Sequence, residues 1–160
     1  MGAVPAVSDQ QRVWGIDIQP TRIAIAVYGD DGYRWSETYR LNKGRQYDLL
    51  RDALRAAGKQ NDEPSDICIE QPALPFVKAT FNAGAVCARL EDALFATWPH
   101  AVLRWMQPSE WRKIAGLSGR ASKEEVAVHA ASIGFAPMDQ DQADAGIIAL
   151  ARWNEIVQDD

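Results

Sequence analysis

The apolar positions near the start of the chain follow the two-residue period of β-strands. Residues 13–18 form an almost continuous apolar run that contains one acid, Asp17, as is typical of an interior strand. Pro20 cannot continue a strand and predicts a turn. Two alternating runs follow, separated by the turn sequence Gly-Asp-Asp-Gly: residues 22–27 and 33–40. The pattern predicts three antiparallel strands in a meander.

The rest of the chain alternates between helical and strand periods. A first helix carries Leu50 and Leu54 on its apolar face, and Gly58 is predicted to end it. Two short apolar runs predict further strands, at residues 66–72 and 101–106. Four more segments predict helices: 76–98, 108–115, 122–133 and 139–153. We therefore expect an α/β fold in which helices flank a mixed five-stranded sheet, the meander plus parallel strands.

Length and composition indicate one globular domain. The chain has 160 residues, 47% of them hydrophobic and 24% charged, which is enough for a substantial core. Residues 1–11 show no period and are predicted to be a flexible tail, so that residues 12–160 form the domain. The net charge of −5 argues against a surface that is basic throughout, but it leaves a local basic patch possible.

The sequence shows no sign of a membrane or of a secretory route. It lacks an apolar stretch of about eighteen residues and a signal peptide. Cys68 and Cys87 both lie in apolar surroundings, so we expect two reduced core residues rather than a disulfide or a zinc pair. These features predict a cytoplasmic protein.

Four acids stand where the predicted elements would converge. Asp17 and Glu70 end two interior strands, whereas Asp141 and Asp144 lie three residues apart at the start of the last helix. Each has an ordinary alternative: Asp17 as a turn former, Glu70 as a strand-end acid, and the helical pair as compensation of the helix dipole. Asp144 nevertheless continues the apolar stripe through Ile148, which favours a position against the sheet.

Together these acids predict a metal centre. Four converging carboxylates would repel one another strongly, and divalent cations relieve that repulsion. All-oxygen ligands select Mg²⁺, with Mn²⁺ as a substitute, rather than zinc. Two such ions about 4 Å apart are suited to the hydrolysis of a phosphodiester.

Three short motifs carry a resemblance to a known family. They are Gly15-Ile16-Asp17, Ile69-Glu70-Gln71 and the run Asp-Gln-Ala-Asp-Ala at residues 141–145. In this order and spacing the chain resembles the RuvC-type Holliday junction resolvases of the RNase H-like (retroviral integrase) superfamily. The resemblance implies an RNase H-like fold, a homodimer and paired symmetric nicks across a four-way DNA junction. It also implies that Asp17, Glu70, Asp141 and Asp144 are the catalytic, metal-binding acids.

The resemblance further suggests which residues contact DNA. Lys123 matches a basic residue of the family at a helix start, where phosphate is also favoured by the helix N-terminus. Nearby in sequence stand Arg112, Lys113 and Arg120, for which a solvated basic face is the alternative. The family's base-stacking aromatic is replaced here by Ala73, and we expect Phe76 to substitute for it.

The sequence departs from the family pattern at two places, so the preferred DNA substrate is not settled by the resemblance. Gln19-Pro20 stands where the bacterial enzymes usually carry glycine, and the stacking aromatic is displaced, as in a phage-type member with broader branched-DNA cleavage. The alternatives are an RNase H-like nuclease acting on other branched DNA, RNA or RNA–DNA hybrid, and a catalytically silent junction-binding module. For the dimer interface we expect the long helix, where Gly84, Ala85 and Ala88 allow close approach.

Overall fold

The described residues form five strands and five α-helices. The structure is a computed structural model that describes residues 11–71, 77–137 and 139–159. The strands are β1 (Arg12–Gln19), β2 (Arg22–Gly29), β3 (Gly32–Arg40), β4 (Asp66–Glu70) and β5 (Val102–Met106). The helices are α1 (Gln46–Gln60), α2 (Val77–Thr97), α3 (Pro108–Ile114), α4 (Lys123–Ser132) and α5 (Gln140–Asp159), with a short 3₁₀ turn at Lys43–Arg45.

The strands form one sheet with β1 at its centre. Their order is β3-β2-β1-β4-β5. β1, β2 and β3 pair antiparallel as a meander, and β4 and β5 continue the sheet in parallel with β1. This arrangement confirms the predicted mixed five-stranded sheet, and it brings the carboxyl ends of β1 and β4 side by side.

The two faces of the sheet are covered by different helices. Trp14 and Ile16 of β1 share a buried cluster with Leu50 of α1 and Leu90 of α2. The opposite face supports a second cluster, in which Trp111 of α3 and residues of α4 and α5 are buried. Because side chains alternate along a strand, the positions between Trp14, Ile16 and Ile18 face the α5 side. Asp17 occupies one of those positions.

Gly15 allows α5 to lie directly against the central strand. A Cβ atom at this position would stand 2.0 Å from the Ala145 carbonyl oxygen and 2.5 Å from the Ala149 amide nitrogen. Both are backbone atoms of α5, so no side-chain rotation would relieve the overlap. The glycine thus sets how close α5 approaches β1.

The predicted end of α1 at Gly58 is wrong. The helix continues through Gly58 to Gln60, and the Asn61 amide donates to the Ala57 carbonyl at 3.0 Å. A Cβ at Gly58 would lie 2.6 Å from the Trp98 ring. This glycine therefore provides room for a neighbouring indole and does not terminate the helix.

The other helix signals agree with the structure, apart from small differences at the ends. Pro108 is the first residue of α3, and Ser122 caps α4 by accepting from the Glu125 amide at 3.2 Å. α5 extends to Asp159, beyond its predicted end at residue 153. Cys68 is buried in the core, whereas Cys87 is half-buried at its edge, and both are free thiols.

Parts of the predictions fall outside the described residues. These are residues 1–10 of the predicted tail, Ala73, and Phe76, the expected base-stacking aromatic. Gln11, the last residue of the predicted tail, donates from Nε2 to Asp66 at 3.2 Å. The helices of the described ranges do not include a continuous apolar stretch of the length that a membrane span requires.

Candidate active site

β1 presents Asp17 in the interior. Asp17 pairs with Ala24 across the antiparallel ladder, and its exposed fraction is 6%. A carboxylate so deeply buried requires hydrogen bonds or compensating charge. Gln19, two residues further, lies on the same side of the strand, and its side chain reaches the same group of acids.

β4 brings Glu70 beside Asp17. The register aligns Ile69 with Ile16 in parallel, so the next position on each strand lies at the same end of the sheet. Trp111, fully buried in α3, donates from Nε1 to a Glu70 carboxylate oxygen at 2.7 Å. This hydrogen bond sets the orientation of the glutamate side chain.

α5 supplies the remaining two acids. The start of the helix is attached to β3 because buried Gln142 accepts from Ser36 at 2.7 Å and donates to Thr38 at 3.2 Å. Asp139 precedes the helix and accepts from the Gln142 amide at 2.8 Å. These contacts hold the first turns of α5 in place over the sheet, where Asp141 and Asp144 project.

The donors around the two helical acids differ. Asp144 accepts from Gln140 Nε2 at 3.2 Å within its own helix. Asp141 accepts at Oδ1 from Gln19 Nε2 at 3.0 Å, and its Oδ2 forms an ion pair with Arg22. Asp141 is therefore held by the β1–β2 hairpin.

The four acids form one electrostatic unit. Burial and the negative charges of Glu70, Asp144 and Asp141 raise the pKa of Asp17 to about 8. Burial also raises the pKa of Glu70 and of Asp144, although the Trp111 and Gln140 hydrogen bonds oppose the rise. The chain thus brings the predicted acids together with too little positive charge to neutralise them, which is the condition that a bound cation relieves.

The chemistry of this group fits a hard divalent cation. The donors are carboxylate oxygens alone, which suit Mg²⁺ and Mn²⁺. Among the described residues, however, no three acidic, histidine or cysteine side chains are already oriented around a common ion position. Asp141 is turned toward Arg22 and Gln19, so the acids match the predicted metal centre in chemistry while their side chains point to protein donors.

The predicted DNA-contacting cations fall into two groups. Lys123 and Arg112 are near enough to lower the pKa of both Glu70 and Asp144. Arg112 also lies over the Trp111 ring, 5.1 Å from its centroid. Lys113 and Arg120 are exposed, on α3 and on the loop that follows it. The structure therefore brings only the first pair to the acids.

Three residues at this site were not predicted from the sequence. Trp111 reads as a core aromatic, and its indole N–H partner is 41 positions away in the chain. Gln19 could have been suggested by its place two residues after Asp17 on the same strand face. Arg22 pairs with Gln19 across the hairpin. Its position as a polar residue at the end of the hairpin nearest Asp17 is the sequence feature that could have suggested it.

The pKa of Asp17 predicts how stability depends on pH in the presence of a chelator. The unfolded-state pKa is about 4, so between about pH 4 and pH 8 the folded chain binds more protons than the unfolded one. The free energy of unfolding therefore falls as the pH rises through this window. Asp17→Asn removes the cost of ionising this buried carboxylate, so we expect it to stabilise the fold by up to about 5 kcal/mol at pH 8 and by much less at pH 4.5.

Urea unfolding at pH 4.5 and pH 8 measures this effect. The exposed Asp52 on α1 provides the control, since Asp52→Asn removes a carboxylate that lies in solvent and not in the acid group. A stabilisation by Asp17→Asn that does not grow with pH would show that Asp17 carries no buried charge.

Comparison with solved structures relates this site to a known fold. Thermus thermophilus RuvC is 19% identical with a TM-score of 0.72, over 93% of this chain and 97% of that one. T. thermophilus RuvC in complex with Holliday junction substrate gives 20% identity and a TM-score of 0.71, over 92% and 96%. Fowlpox virus resolvase, solved with Holliday junction DNA, gives 12% and 0.55, over 89% and 99%.

Comparison of the sequence with known proteins identifies no relative. No protein-family model matches the chain, and no curated protein matches it either. At identities this low, a structural likeness establishes the arrangement of helices and strands. The chain has the RNase H-like fold of the RuvC-type resolvases.

Proposed function

We propose that this chain is a metal-dependent, structure-selective DNA endonuclease that resolves four-way junctions by paired symmetric nicks. The observation that supports this function is the gathering of Asp17, Glu70, Asp141 and Asp144 at the carboxyl ends of β1 and β4. The fold is shared with two resolvases whose structures contain Holliday junction DNA. Their identity to this chain is 20% or less, so the activity itself is the hypothesis.

The four acids would hold two Mg²⁺ ions, with Mn²⁺ able to substitute. When bound, such ions activate water and stabilise the leaving oxygen of a phosphodiester in an in-line displacement. Two divalent ions also balance the charge of four carboxylates, which makes an acidic site compatible with a phosphate substrate. Asp17, the most buried of the four acids, would bind at the centre of the group.

The chain's own cations would bind and orient the phosphate. Lys123 begins α4 and lies exposed, and with Arg112 it is the positive charge that acts on Glu70 and Asp144. Arg112 lies over the Trp111 ring, which would hold its guanidinium beside the acids for contact with a phosphate. Trp111 would keep Glu70 oriented through its 2.7 Å hydrogen bond.

A second copy of the chain would supply the second cut. α2 exposes Gly84, Ala88 and Phe95, the last with 53% of its surface accessible. A Cβ at Gly84 would meet nothing within 4 Å, so this face has room for a closely packed helix. We propose that α2 forms the homodimer interface.

A supercoiled plasmid that extrudes a cruciform tests both the substrate and the pairing of cuts. Two coordinated nicks on opposite strands convert it directly to linear DNA. A single nick instead releases the supercoiling, and the junction is reabsorbed as an open circle. The reaction is run with Mg²⁺, Mn²⁺ or EDTA, with linear duplex, a flap and an RNA–DNA hybrid as competitors.

We expect linear product that requires metal and that still forms when each of the three competitor DNAs is present. Preferred cleavage of the hybrid or the flap would show that the protein is a nuclease whose main substrate is not the four-way junction. Tight junction binding without cleavage in any metal would identify a silent binding module. Open circles alone would contradict paired cutting by a dimer.

A further inference from the structure

Asp141 is the only one of the four acids for which the described contacts occupy both carboxylate oxygens. Oδ1 accepts from Gln19 at 3.0 Å, and Oδ2 is paired with the Arg22 guanidinium. Trp111 engages one oxygen of Glu70, and Gln140 engages one oxygen of Asp144. A cation that binds Asp141 would therefore meet an oxygen that already accepts from a protein donor, and at Oδ2 that donor is itself positively charged.

The hairpin between β1 and β2 explains why two donors reach one acid. Gln19 and Arg22 face each other as the last residue of β1 and the first of β2. The turn between them is fixed, because Gln46 donates from Nε2 to the Pro20 carbonyl at 2.7 Å. Gln46 in turn accepts from Arg89 of α2. The backbone of this turn is thus anchored, while its side chains extend to Asp141.

The ion pair between Arg22 and Asp141 can open readily, which would free Asp141 for another cation. Arg22 keeps 48% of its side chain exposed although Asp141 is only 13% exposed, so the guanidinium can move into water at little cost. Ion pairs with an exposed partner are weak. The pair between Arg152 and Asp66, at 17% and 9% exposure, is by contrast enclosed and structural.

We propose that Arg22 is a resident counter-ion of the acid cluster, which competes with a divalent cation for Asp141 and so raises the metal concentration that the site requires. This inference rests on the proposed function, since it assumes that the four acids bind metal. Arg22 is a positioning residue in this scheme: it orients Asp141 before loading and releases it as the ion binds. A guanidinium suits this role because it remains charged at every physiological pH.

The first test measures metal binding without DNA. Free Mn²⁺ is followed by electron paramagnetic resonance during titration of the wild type, Arg22→Gln and Arg40→Gln. Arg40 has the same charge and lines the same cleft of about 900 Å³ as Arg22, so it controls for a general electrostatic effect. We expect Arg22→Gln to bind Mn²⁺ roughly fivefold more tightly and Arg40→Gln to match the wild type within about twofold.

The second test needs no substitution at Arg22 in the protein observed. The side-chain Nε–H resonance of Arg22 is followed by ¹⁵N NMR while Mg²⁺ alone is added, and it is assigned in the wild type by through-bond correlation to the Arg22 backbone. We expect the resonance to move from a paired to a solvent-exchanging position as Mg²⁺ saturates the site. An unchanged resonance at saturation would overturn the proposal even if the variant failed to fold.

The outcomes separate this inference from the proposed function. If the wild type binds Mn²⁺ but Arg22→Gln binds it equally or more weakly, the competition is refuted and the metal centre stands. If both variants bind more tightly by the same factor, the effect is general charge and not the Arg22 contact. If neither the wild type nor Arg22→Gln binds Mn²⁺, the metal-dependent function itself fails and the inference with it.

Discussion

Asp144→Asn is expected to lower the rate of junction nicking by about a thousandfold while leaving the fold intact. The substitution keeps the shape of the side chain and can retain its hydrogen bond from Gln140, but it removes one negative charge from the cluster. Loss of a single group that stabilises charge in a transition state typically costs a hundred- to a thousandfold. Single-turnover cleavage of a synthetic immobile junction measures the rate, and a gel-shift assay reports binding in the same samples.

Asp139→Asn is the matched control. It lies at the start of the same helix, where it accepts from Thr38 at 2.8 Å and from the Gln142 amide. Asparagine is an equally good helix cap, so cleavage should stay within a few-fold of the wild type. Wild-type nicking by Asp144→Asn, with Asp139→Asn equally active, would place the chemistry outside this acid group.

The same variant should be more stable than the wild type in the presence of a chelator. Asp144 is one of the charges that raise the pKa of Asp17, so its removal relieves repulsion in the folded state. We expect a gain of about 1 kcal/mol in the free energy of unfolding. Lower stability would mean that loss of activity reflects damage to the fold.

Gly15→Ala is expected to have the largest effect on the fold. The new Cβ would overlap two backbone atoms of α5, the Ala145 oxygen and the Ala149 nitrogen, so the helix would have to move away from β1. Overpacking in a core typically costs about 1–3 kcal/mol, and more when backbone must shift. We expect a loss of at least about 3 kcal/mol and no measurable nicking, since Asp141 and Asp144 would move with α5.

Gly44→Ala in the 3₁₀ turn separates this clash from a general effect of adding a methyl group. Gly44 is exposed, and a Cβ there would meet only the Asn42 side-chain oxygen, at an ordinary 3.6 Å, so stability should stay within about 1 kcal/mol of the wild type. Chemical denaturation of both variants makes the comparison. A Gly15→Ala variant as stable as the wild type would show that α5 does not depend on contact with the central strand.

The sheet and the order of its elements were predictable from the local sequence. Three of the signals involve only a few neighbouring positions: the two-residue period of the first strands, the turn residues between them and the capping sequence at Ser122. Such signals can be recognised without knowledge of the fold. The alternation of strands and helices after the meander then implied parallel pairing beside the antiparallel strands. The same local patterns identified Asp17 and Glu70 as strand-end acids and the helical pair as a continuation of a buried stripe.

The residues that surround those acids depend on contacts between distant parts of the chain. Trp111 reaches Glu70 across 41 positions of sequence, and Gln19 reaches Asp141 across 122. Gly58 is a second example. Its sequence context predicted the end of a helix, but the structure shows that a glycine is needed there because the Trp98 ring packs against it. Such contacts depend on how two elements pack, and packing is set by side chains far apart in the chain. The acids could therefore be named from the sequence, but their donors, and the competition we infer at Asp141, could not.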